Sequence, residues 1–240
     1  MLGLPSNPDA DLLCITADEF YCGQTRRFGA HNAEEVVEPF RQAMIGSGLD
    51  AYHAAQLFSE PERVIAHPVG CAQRFGQSLT RLPDGRIIQI GGEHEDSYDP
   101  DFCIYNDVFV HSPDGTVRIF AYPESEFPCT DFHTATLIET EIFVVGSLGY
   151  HGTRQYGVTP VYALDTQSFR IRRVTTSGSA PGWIQRHRSD LLGEELRVSG
   201  GFISSQGEHG EVYAANGEVF VLNTRTLEWR KGEPTRSSGS

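Results

Sequence analysis

The stretch Arg86-Ile87-Ile88-Gln89-Ile90-Gly91-Gly92 occurs twice more in altered form, as Glu141-Ile142-Phe143-Val144-Val145-Gly146-Ser147 and as Glu195-Leu196-Arg197-Val198-Ser199-Gly200-Gly201. Each copy is a short apolar run closed by small residues, and the glycines at 91, 146 and 200 stand 55 and then 54 residues apart. A fixed period of this size marks a repeat architecture, in which each unit is one supersecondary element that needs a neighbour.

Reading outward, every copy continues in the same order. A polar loop of variable length leads to a second apolar run, Val108-Phe109-Val110, Val161-Tyr162-Ala163-Leu164 or Val219-Phe220-Val221-Leu222. A turn-forming tetrapeptide follows: Ser112-Pro113-Asp114-Gly115, Asp165-Thr166-Gln167-Ser168 or Asn223-Thr224-Arg225-Thr226. Short polar side chains of this kind bond their own backbone and predict a hairpin. The returning segments, 116–120, 169–174 and 227–230, alternate apolar and polar residues as half-exposed strands do. Upstream of each glycine lies a further strand, near 77–80, 133–136 and 187–190, which makes four strands per unit.

A strand ending in two glycines, a variable loop, an apolar or aromatic strand, a turn and a late aromatic such as Trp229 together resemble the kelch-repeat family, in particular bacterial kelch-motif proteins. The resemblance covers residues 72–234, as three repeats at about 72–127, 128–182 and 183–234. It implies a mainly β fold of kelch-type propeller blades, with Gly91, Gly92, Gly146, Gly200, Gly201 and Trp229 in structural roles. Glycines are expected where a strand leaves through a turn too tight for a side chain. Known propellers close with four to eight blades, so three repeats leave an incomplete ring with two apolar flanks to cover. Either the N-terminal segment covers one flank or a second copy of the chain completes the propeller as a homodimer.

Residues 1–71 do not repeat the pattern. Asn32 and Glu35 have capping-box spacing ahead of Val36, Phe40 and Met44, and Pro39 offers an alternative helix start, with the helix running to about Ile45. Asp50 then caps a second short helix through Ala51, Ala54, Ala55 and Phe58. A helical hairpin results, with structural cover as its expected role. Leu12 to Thr16 reads as a strand, and 235–240 as a disordered tail.

Composition narrows the partners. The chain has 240 residues, 19 Lys+Arg against 32 Asp+Glu and a formal charge of −13, which opposes binding to nucleic acid or anionic membrane. No apolar run reaches membrane-spanning length, and the first residues lack signal-peptide character, so a cytoplasmic location is expected. The five cysteines include no C-x-x-C pair and predict neither disulfides nor a zinc knuckle.

The variable loops carry the candidate site. After the first glycine pair comes Glu93-His94-Glu95-Asp96-Ser97-Tyr98, an acidic cluster without the spacing of a calcium loop. The second loop supplies Tyr150, His151, Arg154 and Tyr156, and the third supplies Phe202 and His209. Aromatic and cationic groups of this kind concentrate binding energy, so this face is expected to hold a protein or peptide, without metal or cofactor. Enzyme signatures such as Gly-x-Ser-x-Gly or His-Glu-x-x-His are absent. Some kelch-like propellers do act on sugars or small amides, and on that alternative Glu93, Asp96 and His133 are the acid-base candidates. His133 and His187 recur 54 residues apart, where kelch repeats commonly carry a structural histidine; the first copy has Gln77 there.

Overall fold

A computed structural model describes residues 14–58, 65, 67–95 and 102–233. Leu12, Leu13 and the tail 235–240 lie outside them. The chain divides into two compact units, Met1–Glu124 and Ser125–Ser240.

The first unit contains α1 (Ala17–Gly23), β1 (Glu34–Val36), α2 (Pro39–Ser47), α3 (Ala51–Phe58), β2 (Ser78–Arg81), β3 (Ile87–Ile90), β4 (Glu93–His94), β5 (Cys103–Ile104), β6 (Val108–His111) and β7 (Val117–Ala121). β2, β3, β6 and β7 form the antiparallel meander expected of the first repeat, and β1 adds a fifth strand beside β7. Thr16 caps α1, its hydroxyl accepting the Glu19 N–H while the Glu19 carboxylate accepts the Thr16 N–H. α2 starts with Pro39 in its first turn and ends at Gly48, whose φ is +65°. Asp50 caps α3 by accepting the His53 N–H at 2.8 Å.

The Asn32–Glu35 helix start does not form. Glu35 lies in β1 opposite Phe120, and its carboxylate takes two N–H groups of Arg118 at 2.7 Å each. Register puts Val36 beside Ile119 and Ile119 beside Phe109. With Ala121 and with Ile45 of α2 these residues form one buried cluster. The helical segment therefore covers one face of the first sheet, and its other side packs around Phe20, Phe40 and Met44.

The second unit contains β8 (Thr134–Ile138), β9 (Glu141–Val145), β10 (Val161–Asp165), β11 (Ile171–Arg173), β12 (Ser177–Gly178), β13 (Trp183–Gln185), β14 (Arg188–Leu192), β15 (Glu195–Ser199), β16 (Phe202–Gly207), β17 (Gly210–Ala215), β18 (Val219–Asn223) and β19 (Glu228–Gly232). β8 to β11 form one antiparallel sheet. β14, β15, β18 and β19 form the next, extended by the parallel pairing of β12 with β19. The molecule is thus mainly β, its sheets consistent with kelch-type blades; the described residues show no closed propeller.

These two sheets hide one core between them. Phe143, Val145, Val161 and Ala163 of one meet Leu196, Val198, Phe220, Leu222 and Trp229 of the other. The Trp229 indole N–H reaches the Thr176 hydroxyl at 3.2 Å, so its polar atom stays satisfied inside the apolar cluster. The opposite face of the last sheet is different. Register places Asp190, Arg197, Val221 and Arg230 in one row and Leu192, Glu195, Asn223 and Glu228 in the next. Counted from the glycine that ends the strand, Arg197 and Ser199 occupy the positions of Phe143 and Val145. An Arg230–Glu195 ion pair at 2.6 Å lies across this polar face.

Backbone conformation repeats with the sequence. The first hairpin of each meander holds a left-handed residue at 85, 139 and 193, with φ of +89°, +54° and +62°. Two are glycines and the third is the exposed Glu139. A side chain in this region costs roughly 1 kcal/mol, part of which glycine's extra chain entropy cancels. Glu139→Gly is therefore expected to stabilise the protein by about 0.5 kcal/mol, read as a melting temperature raised by a degree or two; a lowered value would count against the strain.

Candidate interaction surface

The expected loop residues fall into both units. In the first, Glu93 and His94 form β4, paired with Ile104 and Cys103. His94 is buried, its Nδ1 2.7 Å from the Tyr105 hydroxyl and its ring stacked on Tyr105. It is a packing residue, not a loop contact. The alternation Phe102-Cys103-Ile104 opposite Glu93-His94-Glu95 carried that signal. Glu95 is exposed. Asp96 and Tyr98 lie outside the described residues.

Beside Tyr105 sits Arg74, with its guanidinium 3.3 Å from the ring centroid and hydrogen-bonded to the Cys71 carbonyl at 2.7 Å and to the Asp107 carboxylate at 3.1 Å. Burial opposes its charge, yet Asp107, together with Tyr105 and Cys71, outweighs burial and the guanidinium pKa is raised. Arg74 is thus a buried tie between the helical segment and the first sheet.

In the second unit the loop 147–158 and the hairpin β16–β17 come together. The loop is anchored at its base by Asp131, fully buried, whose side chain accepts the Gly149 N–H at 2.6 Å. From the other side the Trp183 indole donates to the Leu148 carbonyl at 3.0 Å. Tyr150, half-buried, opens a short 3-10 turn, His151–Thr153, and accepts from the Thr153 N–H and hydroxyl. The loop is therefore held by named bonds at base, middle and crest.

Arg154 joins it to the hairpin. Its Nε donates to the Leu148 carbonyl at 2.9 Å, and its Nη1 to the Glu211 carboxylate and the Tyr213 hydroxyl. Tyr213 also donates to Glu211 at 2.6 Å, and His151 Nε2 stands 3.7 Å from the same carboxylate. Burial would raise the Glu211 pKa, but Arg154 and Tyr213 lower it overall, so the pair stays ionised at neutral pH. The Arg154 guanidinium is fully engaged in bracing the surface. Neither Glu211 nor Tyr213 was anticipated, because their strand read as part of an irregular loop.

The exposed groups of this loop and hairpin include Phe202 and Tyr213 on one face of the hairpin, Val212 on the other and Val158 in the loop, each between 41% and 48% accessible, among polar neighbours such as Gln155, Gln206 and Glu208. His151 is exposed, and His209 is exposed at the hairpin tip. A rigid platform with large exposed side chains loses little entropy on binding.

The two recurring histidines sit elsewhere in this unit, at the start of the innermost strands. His187 Nε2 is 2.9 Å from the Thr134 hydroxyl, and His133 Nδ1 is 3.3 Å from that of Thr130. Burial and the neighbouring His187 depress the His133 pKa to about 3, and burial depresses that of His187 to about 4. Of the acid-base alternative, Glu93 belongs to the first unit, His133 is a buried neutral group in the second, and Asp96 is undescribed. Among the described residues no group of three or more His, Cys, Asp or Glu side chains could hold a metal ion, and no helix is long and apolar enough to cross a membrane.

No family model matches the chain. It is similar to Kelch domain-containing protein 3 of Homo sapiens, 26% identical over 176 residues that make up 70% of this chain and 42% of that protein. The protein of the same description from Bos taurus is 25% identical over 171 residues, with the same shares. The chain thus spans about two-fifths of the length of the curated relatives it matches. This weak similarity suggests the kelch-repeat family.

Proposed function

We propose that the chain is a non-catalytic interaction scaffold of kelch-repeat type that takes a protein or peptide partner on the surface formed by the loop 147–158 and the hairpin 202–215. One observation carries the reading. The Arg154–Glu211–Tyr213 brace ties two variable loops into a fixed platform, leaving Phe202, His151 and His209 facing solvent. Large aromatic side chains on a pre-organised surface are the groups that dominate binding energy. The similarity to Kelch domain-containing protein 3 supports an interaction role in general terms; the face is the reading made from this chain's own residues.

The test is affinity capture with the purified chain as bait, comparing wild type with His151→Ala/Phe202→Ala and with Glu93→Ala/Glu95→Ala. The first variant is expected to lose captured partners at least tenfold while its melting temperature stays within about 2 °C, since exposed substitutions typically change stability by less than about 0.5 kcal/mol. The second leaves them unchanged if the second unit carries the contact. Identical partner sets for wild type and His151→Ala/Phe202→Ala would overturn the assignment.

A further inference from the structure

β17 is an edge strand. In its sheet the order is β13, β16, β17, and no described strand pairs with the far side of β17. Six residues long, it matches β16 along its whole length, from Gly207 opposite Gly210 to Phe202 opposite Ala215. Val212, Tyr213, Ala214 and Ala215 are all exposed.

The phase of the ladder follows from one bond. Asn216 N–H donates to the Gly201 carbonyl at 2.9 Å, so the even-numbered residues 214, 212 and 210 point their backbone groups at β16. By the alternation of antiparallel pairing, Glu211, Tyr213 and Ala215 turn their N–H and C=O groups outward. Natural proteins blunt such edges with proline, lysine or a bulge. This edge has none of them. The alanines at 214 and 215 leave room for a backbone to approach, and Val212 and Tyr213 offer apolar contact on either face.

Charge selects among occupants. Residues 202–215 contain Glu208 and Glu211 and no lysine or arginine; Arg154 already pairs with Glu211, so the bias comes from Glu208 at the hairpin tip and from the chain's formal charge of −13. A second copy would bring like-charged hairpins together, whereas a basic segment is attracted.

From these observations we infer that the outer edge of β17 accepts an extended, lysine-rich segment of the partner as an added strand, bonded through Glu211, Tyr213 and Ala215. This rests on the scaffold reading above and specifies its mode. Strand addition takes affinity from main-chain bonds and selectivity from alternate side chains.

The test uses the full chain and two labelled ten-residue peptides, one alternating lysine with valine and one alternating glutamate with valine, followed by fluorescence anisotropy. The lysine peptide binds at least tenfold more tightly than the glutamate peptide. Ala215→Pro removes one outward N–H without touching the β16 ladder and weakens that binding at least tenfold. Amide exchange on the wild type supplies a second readout independent of any variant: added lysine peptide slows exchange at Glu211, Tyr213 and Ala215 and leaves Val212 and Ala214 as they were. Absence of binding, equal affinity for the glutamate peptide, or exchange unchanged at the three outward amides overturns the inference. So does sedimentation showing that the wild type pairs with itself through an interface Ala215→Pro abolishes. If captured partners depend on His151 and Phe202 but are indifferent to Ala215→Pro, strand addition falls and the scaffold reading stands.

Discussion

Gly201→Ala is expected to cost at least about 3 kcal/mol, whereas the adjacent Gly200→Ala costs about 1 kcal/mol. Both glycines are left-handed, with φ of +66° at 200 and +75° at 201, so each substitution pays the conformational penalty. Their surroundings separate them. A Cβ at Gly200 meets nothing within 4 Å, while one at Gly201 falls 2.3 Å from the Gln185 carbonyl and 2.6 Å from the His187 nitrogen. Those atoms are backbone, and relief requires moving the chain that carries β13 away from the end of β15. Chemical denaturation of the two variants checks the contrast, and equal losses would refute it.

The second large effect is acid lability of the Ser125–Ser240 unit. His133 and His187 fold neutral, with pKa values depressed to about 3 and about 4, while in the unfolded chain both titrate near 6.5. Because the unfolded state binds protons first, their contribution to stability is complete above pH 6.5 and is lost as pH falls. The loss continues until the native imidazoles also titrate, near 4 and 3. At about 1.4 kcal/mol per pKa unit, each histidine withdraws on the order of 3 kcal/mol by pH 4. His187→Gln keeps a hydrogen-bonding group beside Thr134 and removes one titrating site. Its stability between pH 6 and pH 4 should fall less steeply than that of the wild type, by about one proton. An unchanged slope would show that the carboxylates govern the acid transition.

The repeat was legible because its signals are local. Turn residues, two-residue alternation and the terminal glycines specify each hairpin without knowledge of what lies beside it. Even the departure at Ser147 is understandable: only the first residue of that pair is left-handed, and Ser147 keeps an ordinary backbone, its N–H bonded to the Ile184 carbonyl at 3.0 Å. A Cβ at Gly146, in contrast, would sit 2.4 Å from that carbonyl.

What stayed hidden depends on partners distant in sequence. β1 is too short to announce itself and exists because β7 offers an edge and Arg118 a counter-charge for Glu35. α1 does carry a local mark, the capping pair Thr16 and Glu19, but Thr16 also closes the apolar stretch from Leu12 that reads as a strand. The hairpin 202–215 has few apolar residues and weak alternation, so only its pairing with β13 makes it a strand pair. Since the candidate surface is built on that hairpin, Phe202 and His209 could be picked by residue type while Glu211 and Tyr213 could not.

The ionic outer side of the last sheet bears on how such an array could grow. Copying the segment from β8 to β11 would set one oily sheet beside another and extend the stack at little cost. Copying the segment from β14 to β19 would instead entomb Arg188, Asp190, Arg197 and Arg230 against a hydrocarbon neighbour. A sheet set against that face would therefore have to answer these charges with charges of its own.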